Sequence, residues 1–189
     1  MSYEVRLDQF QNHWYAPGRS FALRMLWYFC NLIFLRSGWL VFSAPKCMLL
    51  RLFGAKIGRG VVIKPHVNIK YPWKLHIGDH CWIGEEVWID NLDQVHLESH
   101  VCLSQGALLI CGNHDYKDPA FGLLTGPIYI ERGAWIGAKS SVGPKSRIRE
   151  NTVLSLGSVF TGDTQPGMIY RGNPAIPFRQ RISSTPPIS

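Results

Sequence analysis

The chain has 189 residues, of which 46% are hydrophobic and 17% are charged, and its net charge is +7. It is long enough to bury one sizeable core and too apolar to be wholly disordered. Residues 1–76 contain eleven Lys or Arg and two Asp or Glu. Residues 77–118 contain one basic and eight acidic residues, and residues 119–189 contain eight basic and three acidic residues. An acidic middle between two basic parts does not suit nucleic acid, which we exclude as a partner.

Cysteine usage and the N-terminus favour a cytoplasmic location. The five cysteines are an odd number and contain no C-x-x-C pair. The first residues, MSYEVRLDQF, lack the order of charged and then apolar residues that is typical of a signal peptide.

Residues 20–53 are predicted to form short helices, the first capped by Ser20 and the second opened by Pro45. The segment is too polar for a spanning helix, which needs about 20 apolar residues. Polar side chains interrupt it at Arg24, Asn31 and Arg36. Two interpretations stay open: a lid that caps the exposed strand edges of the coil that follows, which we favour, or an aromatic surface that lies on a bilayer.

From residue 57 onward, a six-residue repeat governs the chain, with steps of eight after Ile69 and Ile89. Large apolar residues occupy Ile57, Ile63, Ile69, Ile77, Ile83, Ile89, Leu97, Leu103, Leu109, Ile130, Ile136, Val142, Ile148, Leu154 and Phe160. Mostly small residues follow four positions later. Six residues form a strand and a turn, and three such sides close a triangular coil. The period therefore predicts an all-β parallel β-helix over residues 57–165.

Within each coil, we expect the large apolar residues to stack at the corners. The glycines directly after them are expected to supply backbone freedom there. These glycines are Gly58, Gly78, Gly84, Gly137 and Gly143. The two-residue insertions are expected to bulge from one edge of the prism.

One interruption of the repeat is much longer, with 21 residues separating Leu109 from Ile130. We expect residues 112–127 to be extruded as a loop, and loops on a rigid scaffold commonly carry the chemistry. The loop contains a histidine, His114.

The two ends of the chain are predicted to form separate segments on either side of the β-helix. Residues 1–56 are expected to form an N-terminal helical cap segment, and residues 166–189 to leave the coil as an extended tail because prolines and glycines interrupt them. The last seven residues, SSTPPIS, are expected to be disordered.

The hexads in AWIGAKSSVGPKSRIRENTVLSLGSVFTGD, followed by YRGNPA, resemble the hexapeptide-repeat acetyltransferases, which include maltose, galactoside and serine enzymes. The stretches GRSFALRMLWYF and LLRLFGAKIGRGVVIKPHVNIKYPWKLHIGD are similar to the colanic-acid branch of exopolysaccharide enzymes. The resemblance spans about residues 8–181. It implies a left-handed β-helix, a homotrimer, acetyl-CoA bound between neighbouring prisms, and a loop histidine as general base.

The resemblance places that base at His114, in CGNHDYKD. An alcohol must lose its proton as it attacks a thioester, and imidazole titrates close to neutral pH. Asn113 or Asp115 could orient the ring, and polar residues of the preceding coil, Asp90 and Asn91, are expected with them to bind the acceptor.

For the donor, the resemblance implies that Trp135 flanks acetyl-CoA and that Ala138, Leu156 and Thr161 line the pantetheine arm. The chain departs from the family where glycine-alanine-glycine becomes Ser155-Leu156-Gly157 and where Gly162 replaces a lysine. This puts the phosphate contacts in doubt. Basic residues that could replace that charge are Lys139, Arg171, Arg179 and Arg181.

Two histidine pairs are each separated by 20 residues, His76 with His96 and His80 with His100, and should stack in successive coils. Zinc could bind such residues, as in a β-helix hydratase, but the two-histidine signature of that family is absent. No metal is expected.

These observations favour an acetyl-CoA-dependent O-acetyltransferase acting on a sugar hydroxyl in surface or exopolysaccharide biosynthesis. The acceptor could be lipid-linked, which would bring a cytoplasmic enzyme into peripheral contact with the inner membrane. The alternatives are a non-catalytic scaffold or a zinc hydratase on the same fold, and serine or an amino sugar as acceptor.

Overall fold

The computed structural model describes residues 4–182, and most of the chain winds into a three-sided prism. Face A contains β1 (Lys56–Ile57), β4 (Leu75–Ile77), β7 (Val95–Leu97), β12 (Ile128–Ile130) and β15 (Arg147–Ile148). Face B contains β2 (Val62–Ile63), β5 (Trp82–Ile83), β8 (Cys102–Leu103), β13 (Trp135–Ile136) and β16 (Val153–Leu154), extended by β18 (Met168–Gly172) and β19 (Ala175–Gln180). Face C contains β3 (Asn68–Ile69), β6 (Trp88–Asp90), β9 (Leu108–Ile110), β14 (Ser141–Val142) and β17 (Val159–Phe160). The predicted fold class, a parallel β-helix, is confirmed.

The large apolar positions of the repeat form the core, and all are buried except the partly exposed Ile57 in the first coil. The small residues four positions later are buried as well, from Val61 to Thr164. The expectation that the large residues stack at the corners is wrong. They lie within the strands and point inward from the flat faces, while two-residue turns form the corners.

The glycines after the apolar positions do not provide backbone freedom as expected. A Cβ at Gly78 would lie 2.6 Å from the Ser99 backbone nitrogen, and one at Gly137 would lie 2.6 Å from the Leu154 carbonyl oxygen. These glycines are therefore required by the close approach of the next coil. The left-handed backbone occurs instead in the turns, for example at His80 (φ 55°).

All the insertions leave the prism at the edge between faces C and A, the C–A edge, as the phase of the repeat predicts. The first is a 3-10 turn, Pro72–Lys74, and the last is the extruded loop. The loop contains a hairpin of β10 (Gly112–His114) and β11 (Leu123–Thr125).

The N-terminal segment contains α1 (Phe21–Cys30), a π-helical turn (Asn31–Leu35) and α2 (Ser43–Leu52), preceded by a 3-10 turn, Leu7–Gln9. Ser20 caps α1 as predicted, its Oγ accepting the Leu23 N–H at 3.4 Å. Within residues 4–182, no helix is long and apolar enough to cross a membrane.

The inner side of these helices covers the open first coil. Each first-coil strand has a carbonyl that accepts a hydrogen bond from a helix side chain: Ile57 from Arg51 (3.0 Å), Ile63 from Lys46 (3.2 Å) and Ile69 from Trp27 (2.9 Å). These hydrogen bonds give partners to three strand-edge carbonyls that the next coil does not pair. The helices therefore cover the first coil.

The outer side of the cap is apolar and exposed, and we call it the outer apolar surface. It consists of Phe21, Met25, Leu26, Tyr28, Phe29, Leu32, Ile33, Trp39, Val41, Phe42, Met48 and Leu52. Exposed apolar groups in such number are typical of a surface that binds a partner or a membrane.

At the other end of the prism, the chain does not leave the coil where we expected. Strand β18 pairs in parallel with β16, and β19 folds back antiparallel to β18. The reason is the placement of the prolines: β18 contains none, and Pro177 lies on the edge strand β19, where the missing N–H is tolerated. The predicted disorder of SSTPPIS falls on residues 183–189, outside the described residues.

Candidate active site

The extruded loop holds His114 at the end of β10, opposite Leu123 of β11. Asp118 closes the turn, its carboxylate oxygens accepting the N–H groups of Ala120 (3.0 Å) and Gly122 (3.1 Å). The histidine is exposed but stands on a short, hydrogen-bonded hairpin.

The His114 ring is oriented by a backbone carbonyl, with Nδ1 lying 2.7 Å from the Phe121 oxygen. Because a carbonyl only accepts hydrogen bonds, Nδ1 carries the proton and Nε2 keeps its lone pair. Phe121 has a left-handed backbone (φ 57°), and the rings of Phe121 and Phe10 have their centroids 5.6 and 5.7 Å from the imidazole. This arrangement suits a general base acting through Nε2.

The neighbours of His114 do not orient its ring, contrary to expectation. Asn113 Oδ1 accepts the His114 backbone N–H (2.8 Å), and Asp115 Oδ1 accepts the Lys117 N–H (2.9 Å). Successive side chains on a strand point to opposite faces, so adjacent residues are poorly placed to reach the ring. Both residues shape the hairpin around His114.

An N-terminal arm, residues 4–19, lies against the loop and was not anticipated from the sequence. The Arg6 N–H donates to the Pro119 carbonyl (2.7 Å), and Phe10 packs near the His114 ring. The arm lies outside the repeat, so periodicity gives no signal for this contact.

The two acceptor candidates of the preceding coil differ in accessibility. Asp90 forms an ion pair with Lys70 (2.8 Å), and its side chain is 18% exposed. Asn91 is fully buried, and its amide is occupied by Tyr71, whose N–H donates to Oδ1 (2.9 Å) and whose carbonyl accepts from Nδ2 (2.6 Å). Asp90 can therefore meet a ligand, whereas Asn91 joins two successive insertions.

Two cavities lie beside Asp90 and the loop. The first, the α1 cavity of about 420 Å³, lies between α1 and face C and is lined in part by Phe21, Arg24, Tyr28, Lys70, Tyr71 and Asp90. The second, the arm cavity of about 450 Å³, is lined by Phe10, Asn12, Tyr15, Pro17, Arg24, Lys70, Tyr71, Leu92 and Leu123. The cavities share a wall, and the arm cavity reaches the residues that flank His114.

Four of the predicted donor residues lie together at the edge between faces B and C, which we call the B–C edge. Trp135 is 45% exposed on β13, and its indole N–H donates to Ser104 Oγ (2.8 Å). Ala138 and Lys139 form the turn that follows, and Leu156, 74% exposed, lies in the corresponding turn of the next coil. A groove along this edge would have backbone groups and an exposed tryptophan available to a ligand.

The other donor candidates lie elsewhere. Thr161 follows β17 at the C–A edge. The guanidinium groups of Arg171 and Arg179 both pack on Phe178, 3.5 and 5.5 Å from its ring centroid. Arg181 donates to the Gly133 carbonyl (2.9 Å), which ties it to a turn of the prism.

His114 and the group around Trp135 therefore lie on different edges of one chain. The loop with His114 leaves at the C–A edge, and Trp135 stands beside the B–C edge. Face C separates the two edges. A single copy does not bring these residues together.

The histidine pairs stack in successive coils as predicted, with ring centroids 5.0 Å apart for His76 and His96 and 5.4 Å for His80 and His100. Burial and the neighbouring His76 and Lys56 lower the pKa of His96. Across residues 4–182, no group of three or more His, Cys, Asp or Glu side chains could hold a metal ion.

Comparison with known proteins identifies the class. The chain is 37% identical over 139 residues to a protein of Escherichia coli K12 provisionally named colanic acid biosynthesis acetyltransferase WcaF, covering 74% of this chain and 76% of that protein. The chain belongs to the hexapeptide-repeat acetyltransferases. Within that family, its sequence is similar to the WcaF branch.

Two more distant proteins share the fold or sequence pattern. A hexapeptide-repeat acetyltransferase of Vibrio cholerae, VCA0836, solved with acetyl-CoA, superposes with a TM-score of 0.76 at 23% identity, covering 86% of this chain and 88% of that one. The galactoside O-acetyltransferase of E. coli K12 is 24% identical over 135 residues, 70% of this chain and 66% of that protein. No protein-family model matches the chain.

Proposed function

We propose that the protein is an acetyl-CoA-dependent O-acetyltransferase that acts on a sugar hydroxyl in surface or exopolysaccharide biosynthesis, with His114 as the general base. The observation that carries the proposal is the contact between His114 Nδ1 and the Phe121 carbonyl, which leaves Nε2 as a base. The acetyl-CoA complex of the Vibrio cholerae protein and the name of the E. coli galactoside enzyme support the donor and the acceptor class.

In the proposed reaction, the acceptor hydroxyl oxygen attacks the thioester carbonyl carbon as its proton passes to His114 Nε2. The carbon–sulfur bond then breaks, and the proton passes from the imidazolium to the leaving thiolate. The products are an acetyl ester and free coenzyme A. Proton transfer of this kind contributes about 100-fold or more to the rate.

The proposed assembly is a homotrimer in which a neighbouring copy supplies the donor residues. The separation of His114 from Trp135 by face C supports it, because a second prism could place its B–C edge beside the loop. Sedimentation should give a trimer, and a stable monomer with full activity would contradict the assembly.

We further propose that the enzyme is cytoplasmic and contacts the inner membrane peripherally through its outer apolar surface. Phe29→Glu, at a residue 51% exposed on that surface, should reduce flotation with vesicles of anionic lipid. The matched control Ile176→Glu, at a residue 62% exposed on the opposite end of the prism, should float like the wild type. Equal flotation of all three proteins would contradict the contact.

The test of the reaction is thiol release from acetyl-CoA with a panel of sugars. His114→Ala should lower the rate about 100-fold or more and leave acetyl-CoA binding intact. His13→Ala, a change at an exposed histidine of the arm, is the control and should remain active. Absence of both transfer and acetyl-CoA binding would favour a scaffold, and bound zinc with hydration of carbon dioxide would favour a hydratase.

A further inference from the structure

Arg24 stands where the α1 cavity and the arm cavity meet, since it lines both of them. Its Nε is buried and has no hydrogen-bond partner among the described residues. The guanidinium lies 5.6 Å from the centroid of the Phe21 ring. A buried donor without a partner costs free energy, so this group calls for an acceptor that the described part of the chain does not provide.

The charge around Arg24 favours an anion. Arg36 and Lys70 also line the α1 cavity, and Asp90 is the one carboxylate of its lining. Asp90 Oδ1 lies 2.8 Å from Lys70 Nζ as an ion pair, although this buried oxygen makes no hydrogen bond among the described residues, and the cations of the lining outnumber it three to one. Two guanidinium groups therefore remain to attract a negative ligand, and the planar fork of an arginine matches phosphate oxygens.

The α1 side of the lining is largely apolar and opens to the surface, and the polar Asn31 and Asn68 of the lining hydrogen-bond to each other (2.7 Å). Phe21, Met25 and Tyr28 line the α1 cavity and are 68%, 37% and 51% exposed. The same residues belong to the outer apolar surface, so an apolar chain could run from the cavity onto it. A nucleoside would need several polar partners, which this apolar side does not offer.

The opposite side of Arg24 leads to the base. The arm cavity is lined by Phe10, whose ring lies 5.7 Å from that of His114, and by Leu123, which pairs with His114 across the hairpin. A ligand with its anion at Arg24 would therefore have an apolar end at α1 and a polar end directed toward His114.

We propose that Arg24 binds the phosphate of a lipid-diphosphate-linked sugar, with the isoprenoid chain along the exposed side of α1 and the sugar in the arm cavity. This inference rests on the proposed function and names its acceptor class. The phosphate bonds take no part in acetyl transfer. They anchor the acceptor so that a sugar hydroxyl reaches His114.

Binding of farnesyl diphosphate, measured by calorimetry without any sugar, tests the site independently of activity. The wild type should bind it more tightly than farnesol, inorganic pyrophosphate or UDP. Arg24→Gln should weaken its binding about tenfold or more, since charge-assisted hydrogen bonds are lost. The matched control Arg59→Gln, at an arginine with a 90% exposed side chain in a turn outside both cavities, should bind like the wild type.

The outcomes separate the phosphate site at Arg24 from the proposed acetyl transfer. Farnesyl diphosphate that binds no better than farnesol, or equally to wild type and Arg24→Gln, would overturn the phosphate site. Tighter binding of UDP than of farnesyl diphosphate would overturn it in favour of a nucleotide-linked acceptor. Acetyl-CoA binding in the same preparation reports on the proposed function separately, and His114→Ala should keep its affinity for farnesyl diphosphate.

Discussion

The coils and the extruded loop of this protein obey opposite structural rules. In the coils, each hexad repeats the contacts of the one before it, and residues such as Ile83 are fully buried. In the loop, His114 is exposed and is held by a contact to Phe121 that occurs once. The comparison teaches that stability resides in the repeat, whereas the proposed chemistry lies in its interruption, so mutations should separate the two.

The largest expected effect on stability comes from a coil residue. Ile83→Ala should lower the free energy of unfolding by about 2–5 kcal/mol, because a cavity opens among close-packed neighbours. Activity per folded molecule should persist. Denaturant unfolding measured together with acetyl transfer checks both statements, and selective loss of activity without loss of stability would break the comparison.

A smaller effect, on kcat and not on stability, is expected from a residue of the loop. Asp118→Ala removes the acceptors for the Ala120 and Gly122 N–H groups and should loosen the turn that carries the Phe121 carbonyl. If Asp118 positions the proposed base and does not touch substrate, kcat should fall about tenfold with little change in KM for acetyl-CoA, and the unfolding free energy should be almost unchanged. Asp118→Asn, which keeps one oxygen acceptor, should restore part of kcat. Equal losses in the two variants would contradict a positioning role.

The smallest effect is expected at an exposed ion pair on the coils. The hydrogen bond from Arg149 lowers the pKa of Asp163 below its usual 3.8. Stability from this pair is therefore present above pH 3.8 and is lost as the pH falls through the lower folded-state pKa. Asp163→Asn should leave unfolding at neutral pH almost unchanged and make the acid dependence shallower. A loss at neutral pH as large as that of Ile83→Ala would contradict this ranking.

The sequence predicts the structure best in the regions that follow the six-residue repeat. Ile83 and Leu103 could be assigned to the core because each hexad repeats its neighbour, and the same period predicted the stacking of His80 on His100. The role of Gly78 in the close approach of the next coil was not predicted, because it depends on the spacing between backbones, which the sequence does not show.

Contacts between distant, non-repeating residues were not predictable in this way. The hydrogen bond from Trp27 to Ile69 spans 42 positions, and Phe10 reaches His114 from outside the repeat. His114 itself was found through its motif, whereas its Phe121 partner has no sequence signal. In the sequence, Arg24 was noticed only because it interrupts an apolar run. Its position between two cavities could be recognised only from the three-dimensional structure.

The most direct test of the account is subunit complementation between His114→Ala and Ala138→Trp, the second of which would fill the B–C edge where we propose that acetyl-CoA binds. Each variant alone should be inactive. If the loop of one copy meets the B–C edge of another, subunits mixed in equal amounts and reassembled should recover roughly a quarter of the wild-type sites, as expected for random assembly of a symmetric trimer. Mixtures that reassemble fully but stay inactive would contradict a site shared between copies.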